Sequence, residues 1–248
     1  MTEDTYYKEY WQTIKDSELQ IEDLIIHFPT FIRHYEMTKF IAHYELFKKI
    51  IDMPGHIVEL GVFQGASFFT WVKLLDAFCP GDITRNVYGF ESFQGLQEFS
   101  DEDGSPSTTD ADRREGAFSS NPKTLRTMLK LNTKYSLRTG VSRGFIVEGD
   151  IQSTLPRFLE EVSGLRISLL YLDMDLYLPT KLALEHLYPL VISGGIVAVD
   201  QYAQIPWEGE SKAVEEYFKN TFGKVPAMKK LSFSVSPHAY FIKEGEFA

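Results

Sequence analysis

Asp173 and Asp175 stand two residues apart in the run Leu172-Asp173-Met174-Asp175-Leu176-Tyr177, and Asp200-Gln201 closes the next β-rich run. In extended backbone, residues two apart point to the same side. Three carboxylates gathered in one cleft repel each other unless a cation or a shared proton compensates. Oxygen donors of this kind, with the Gln201 amide carbonyl as a neutral addition, suit magnesium or a similar hard ion. The alternative is that Asp173 meets a cofactor while the other two acids cap helices. The chemistry on offer is that of carboxylates, which take up a proton or hold a cation.

A second set lies earlier in the chain, in the turn Glu59-Leu60-Gly61-Val62-Phe63-Gln64-Gly65-Ala66-Ser67. Small residues here let the backbone approach a ligand and let the following helix pack closely. The dinucleotide pattern G-x-G-x-x-G is not met, because Phe63 and Ala66 stand at its second and third glycines. The turn is equally compatible with a nucleoside that lacks a pyrophosphate, such as S-adenosylmethionine. Glu91, followed by Ser92, ends the second β-rich run and is placed to accept both ribose hydroxyls. Asp150 ends the third and can accept from an adenine amino group. Singly, each acid reads as surface charge; with the glycine turn they read as an adenosine site.

These residues need elements to hold them. β-rich runs at His56–Phe63, Asn86–Ser92, Gly144–Asp150, Ile167–Asp173 and Gly195–Asp200 alternate with helical stretches Ala66–Phe78, Pro122–Asn132, Gln152–Val162 and Lys181–Val191. That alternation predicts a parallel sheet with helices on its faces, and ligands of such sheets bind beyond the carboxyl ends of the strands. Each of the five runs carries an acidic residue at or near its end: Glu59, Glu91, Asp150, Asp173 and Asp200. Helix Ser211–Phe222 leads to two further runs, Met228–Ser234 and Ala239–Glu244, separated only by Pro237-His238. So short a link predicts an antiparallel hairpin and seven strands in all.

Residues 1–52 read as an N-terminal helical cap on a domain spanning 53–248, with Ile32, Tyr35, Phe40, Ile41, Tyr44, Phe47 and Ile50 at helical spacing. Residues 94–121 form a long polar loop of the kind that serves as a lid or binding segment. Trp207, Tyr202 and Tyr177 fall near the expected cleft and could stack on a ligand ring or simply pack. None of the six histidines ends a parallel strand, and Cys79 precedes Pro80-Gly81 at a helix end, away from the strand tips.

Composition narrows the function classes. The 248 residues carry 25 Lys+Arg against 35 Asp+Glu, a net charge of −10, with no local basic stripe, which disfavours a nucleic-acid partner. Hydrophobic residues at 44% and aromatics at 14% supply a packed core and exclude dominant disorder. One cysteine allows neither an intramolecular disulfide nor a thiolate zinc cluster. No signal-like or membrane-length apolar stretch stands out, so the expectation is a cytoplasmic protein with no membrane partner.

Several runs resemble one family: Val58-Glu59-Leu60-Gly61-Val62, Phe90-Glu91-Ser92-Phe93-Gln94-Gly95-Leu96 and the Asp173-Met174-Asp175-Leu176-Tyr177 element. Leu187-Tyr188-Pro189, Gly194-Gly195 with Val199-Asp200, and Gly209 ahead of Ala213-Val214-Glu215-Glu216-Tyr217-Phe218 extend the likeness. From about His34 onward the chain resembles the macrocin-type sugar O-methyltransferases. The resemblance implies a Rossmann-like class I methyltransferase fold that uses S-adenosylmethionine and magnesium, acts on a sugar-containing acceptor and forms a homo-oligomer. By the same analogy Asp173, Asp200 and Gln201 hold the metal and Asp175 is the general base. Glu59, Gly61, Gly65, Ser67, Glu91, Ser92, Asp150 and Asp173 line the cofactor site. There are two departures. Gln201 stands where the family commonly has a second acid, which removes one negative charge, and Glu91 stands where it usually has Asp. The competing readings are an NAD-dependent oxidoreductase and a non-catalytic nucleoside- or sugar-binding module.

Overall fold

The computed structural model describes residues 3–107, 110 and 112–245. Residues 1–2 of the expected cap, 108, 109 and 111 of the expected lid loop, and 246–248 at the end of the domain lie outside the described residues. Four helices come first: α1 (Glu3–Asp16), α2 (Ile21–Ile26), α3 (Phe28–Phe31) and α4 (His34–Ile50). Alternation follows as expected, through β1 (His56–Leu60), α5 (Ala66–Phe78), β2 (Val87–Glu91), α6 (Pro122–Lys134) and β3 (Gly144–Glu148). It continues through α7 (Ile151–Glu161), β4 (Ile167–Leu172), α8 (Tyr177–Leu187), β5 (Val191–Val199), α9 (Glu208–Phe222) and β6 (Ala239–Ile242).

The sheet order is β3-β2-β1-β4-β5-β6, with β1 to β5 parallel and β6 antiparallel to β5. Consecutive halves wind outward from the β1/β4 junction, the switch point at which such sheets bind ligands. β4 is buried along its whole length. Its alternating side chains divide between two cores: Leu170 and Leu172 pack with α7, α8 and α9, while Leu169 and Tyr171 pack with α4 and α5. Burying each large apolar side chain contributes about 1.5–3 kcal/mol, which makes β4 a rigid mount for the residues that follow it.

Among the described residues the sheet has six strands, not seven. Met228–Ser234 makes a single antiparallel bridge, Lys229 to Tyr240, instead of a strand. Beyond it the Ser234 N–H turns back to the Leu231 carbonyl, and its hydroxyl donates to the Ser236 carbonyl. Serine thereby satisfies locally the groups that a ladder would have used. The expected helix Lys181–Val191 also shifts: α8 starts at Tyr177, a short 3-10 turn at Tyr188–Leu190 holds Pro189, and Val191 already belongs to β5. In α4 the buried stripe is Ala42, His43, Leu46, Phe47 and Ile50, whereas Ile41 is exposed and Tyr35 is exposed at the cleft. The periodic set read from the sequence mixed two faces because His43, a polar residue, is a core residue here. Among the described residues, no helix is long and apolar enough to cross a membrane.

Gly61 shows how closely the strand tips approach. It adopts φ +87°, and a Cβ there would lie 1.8 Å from the Asp173 carbonyl oxygen. Only glycine fits at this crossing. The Asp173 N–H donates to the Leu60 carbonyl at 3.0 Å, so the β1/β4 ladder runs on into the site.

Candidate active site

A cleft of about 540 Å³ opens at the carboxyl ends of the strands. Gly61, Glu91, Ser92, Asp150, Asp173, Asp175, Asp200 and Gln201 all line it, as do Tyr35 and Lys39 from α4. Glu59, Gly65 and Ser67 lie outside the lining. Glu59 is fully buried and its Oε1 accepts from the Ser67 hydroxyl at 2.6 Å, tying β1 to the first turn of α5. Burial pushes the Glu59 carboxyl up to about 8, against the opposing Ser67 hydrogen bond. Gly65 is the left-handed cap of α5. These three residues build the turn under the cleft.

On the β1–β3 side the acids are already engaged. Glu91 receives the Phe63 N–H on Oε2 at 2.5 Å and the Phe93 N–H on Oε1 at 2.7 Å, which fixes its carboxylate between two loops. Asp150 caps α7, accepting from the Gln152 N–H at 3.3 Å, while still lining the cleft. The remaining lone pairs of both carboxylates are available to a ligand's hydroxyl or amino donors.

The β4–β5 side is crowded with charge. Asp200 is buried, and its Oδ1 accepts from the Tyr171 and Ser236 hydroxyls, each at 2.5 Å. Gln201 Nε2 donates to Asp200 Oδ2 at 3.0 Å and lies 3.5 Å from Asp173 Oδ1. Lys39 Nζ stands 3.5 Å from Asp173 Oδ2 and 3.7 Å from Asp200 Oδ1. Burial and then the Asp200 charge raise Asp173 to about 7, with Lys39 opposing. Burial alone would lower Lys39, but the charges of Asp200 and Asp173 outweigh it and hold it above the ordinary lysine range.

Asp175 sits in the left-handed region at φ +63°, which asparagine and aspartate tolerate better than other side chains. Its N–H and that of Met174 donate to Glu210 Oε1 at 3.1 and 2.9 Å, and the Gln201 N–H donates to Glu210 Oε2 at 3.0 Å. One buried carboxylate from α9 therefore pins both site loops. Among the described residues, nothing hydrogen-bonds the Asp175 carboxylate. Burial, then the charges of Asp173 and Asp200, push it well above the carboxylate range.

Sequence reading missed Lys39, Glu210, Tyr171 and Ser236. Two of them left a signal. Lys39 precedes Ala42, His43 and Leu46 at steps of three, four and seven, which places a cation on the core stripe of α4. Glu210 stands three and four residues before buried Ala213 and Val214 in the same way. His43 Nε2 lies 3.3 Å from the Tyr171 hydroxyl, one tyrosine removed from Asp200, and burial keeps its ring neutral.

The long loop is anchored to the site. Buried Asp103 accepts from the Ser100 N–H and hydroxyl on Oδ2 and from the Tyr177 N–H, at the start of α8, on Oδ1 at 2.8 Å. Gly209 makes room for it: a Cβ there would lie 1.9 Å from Asp103 Oδ1. Tyr177, Tyr202 and Trp207 do not line the cleft. The tyrosine hydroxyls bind Glu216 and Glu215, and Trp207 packs against Leu96, Ala117 and Leu176.

The divalent ion that the resemblance implies does not fit these residues. Among the described residues no three His, Cys, Asp or Glu groups converge as ligands. Gln201 turns its amide N–H group to the two carboxylates, and the Lys39 ammonium already stands close to both.

Comparison with known proteins agrees with this architecture. A tetracenomycin-type glycoside 4'-O-methyltransferase of Streptomyces olivaceus is 29% identical over 154 residues, or 61% of this chain and 54% of that protein. The matched segment thus spans about half the length of this curated relative. A solved calicheamicin methyltransferase superposes with a TM-score of 0.85 at 28% identity, covering 98% of this chain and 93% of that one. An apo structure described as a TDP-rhamnose 3'-O-methyltransferase of calicheamicin biosynthesis superposes with a TM-score of 0.77 at 27% identity, covering 98% and 95%. Residues 37–230 match the family described as Macrocin-O-methyltransferase (TylF), and the chain belongs to that family.

Proposed function

We propose that this protein transfers a methyl group from S-adenosylmethionine to a hydroxyl of a sugar, either a nucleotide-linked deoxysugar or a glycosylated natural product. The observation that carries the reading is the placement of Asp175, a carboxylate that lines the cleft beside Asp173 and Asp200 with its oxygens unengaged among the described residues. Names of the relatives support the sugar acceptor: one acts on a rhamnosyl-tetracenomycin and another on TDP-rhamnose.

The chain's residues fit the cofactor. Gly61 and Glu91 line the same cleft, with Gly61 held against the Asp173 backbone and the Glu91 carboxylate held rigid by two backbone N–H groups. When bound, S-adenosylmethionine supplies the methyl group and a sulfur that keeps the electron pair of the broken C–S bond. Asp175 takes the proton of the acceptor hydroxyl as that oxygen bonds to the methyl carbon, so charge balances. Burial and the neighbouring acids raise the affinity of Asp175 for a proton, which drives the transfer from the hydroxyl once the carboxylate is ionised. Glu210 fixes the backbone at Met174 and Asp175, so the base is aligned before the acceptor arrives.

The test is incubation with methyl-labelled S-adenosylmethionine and a panel of TDP-deoxysugars and rhamnosylated aglycones. Labelled sugar and stoichiometric S-adenosylhomocysteine are expected. Tight binding of NAD with no binding of S-adenosylhomocysteine overturns the reading.

A further inference from the structure

We infer that the Lys39 ammonium stands in the place of a divalent cation in this chain, and that it holds Asp173 and Asp200 together without a metal. Lys39 reaches from the core stripe of α4 into the cleft and lies within 3.7 Å of carboxylate oxygens on both Asp173 and Asp200. A divalent ion bridging those two residues would meet the ammonium at close range, and the two cations exclude each other by simple repulsion.

Gln201 points the same way. Its Nε2 faces Asp200 Oδ2 at 3.0 Å and Asp173 Oδ1 at 3.5 Å. The reversed amide would set its carbonyl oxygen against two carboxylates, so with Lys39 in place the donor orientation is the favoured one. Gln201 Oε1 is then left buried without a partner among the described residues, an acceptor for a donor on the ligand. Asp200 Oδ1 is also engaged by two hydroxyls, Tyr171 and Ser236, which leaves it a poor metal ligand. An acid at position 201 would add a third carboxylate against the one ammonium; the neutral amide adds no charge. Lys39 and Gln201 therefore form a matched pair. Lys39 acts as a positioning residue that holds the two aspartates, and Asp175 remains the base.

The inference rests on the methyl-transfer reading only for the identity of the ligand, and the experiment separates the two. EDTA-treated, dialysed full-length protein is titrated by calorimetry with MgCl2, and separately with S-adenosylhomocysteine. Expected are saturable binding of S-adenosylhomocysteine and no saturable Mg2+ binding at millimolar concentration. Absent S-adenosylhomocysteine binding sinks the methyl-transfer reading and leaves the Mg2+ result to decide this one. One Mg2+ per chain, lost in Asp173→Asn, overturns the inference. The double variant Lys39→Gln, Gln201→Asp is expected to gain saturable Mg2+ binding at least tenfold tighter than the parent. A folded double variant with no gain overturns the inference as well. Lys39→Arg keeps the parent's melting temperature and its indifference to Mg2+, whereas Lys39→Met melts lower. If the double variant does not fold, the parent's own Mg2+ titration decides.

Discussion

The two halves of the cleft hold their carboxylates in opposite ways. On the β1–β3 side, Glu91 accepts two backbone N–H groups and Asp150 accepts one while capping α7. These acids are oriented by partners and set apart from one another along the strand tips. On the β4–β5 side, Asp173, Asp175, Asp200 and Glu210 crowd together, and burial and mutual repulsion raise Asp173, Asp175 and Glu210. The difference is one of task. A rigid acceptor recognises a ligand that arrives with donors, whereas a crowded and desolvated acid takes up a proton.

The sharpest way to break this contrast is Asp175→Asn, which keeps size and the backbone preference but removes the base. Turnover is expected to fall on the order of a hundredfold or more, while S-adenosylhomocysteine affinity, measured by calorimetry, stays within a factor of about two. A variant that turns over normally would remove Asp175 from the mechanism.

Glu210→Ala attacks the support beneath the crowded half. It strips three backbone N–H groups of their acceptor, at Met174, Asp175 and Gln201. Relief of repulsion offsets part of the loss, so the expected cost is about 2–3 kcal/mol of stability, read from denaturant unfolding. Turnover should fall more than cofactor affinity, because the loops disturbed carry Asp175 on the β4–β5 side.

A smaller effect sharpens the other half. Glu59 has a folded-state value of about 8 against 4.5 for the free group, so the folded protein binds its proton more tightly than the unfolded chain does. The stability this contributes is full below about pH 4.5 and is lost as pH rises through about 8. The melting temperature is expected to fall steadily between pH 5 and pH 8 on this account. Glu59→Gln, which mimics the protonated form and keeps an acceptor for Ser67, should flatten that slope. An unchanged slope would place the proton elsewhere.

Much of the cleft was legible before any coordinates. The alternation of apolar runs and helical stretches carries the parallel sheet, and acids at the ends of those runs must gather at one edge because parallel strands share a direction. Eight of the eleven named site residues line one cleft for that reason. Glu59, Gly65 and Ser67 do not, because a glycine turn has an underside, and sequence spacing does not say which side a residue takes. The lost strand at Met228–Ser234 has a similar cause: serine hydroxyls offered the backbone local partners that β-propensity does not count.

The sequence by itself determined the parallel sheet, the carboxylates at the strand ends and the family, since these follow from local periodicity and from motifs read in one dimension. Only the tertiary structure decided what neutralises those carboxylates. Lys39 and Asp173 are far apart in the chain and on different elements, and Glu210 reaches Asp175 from a third. Charge compensation in a buried site depends on distances of a few ångströms, and those distances exist only once α4 and α9 have packed on the two faces of the sheet.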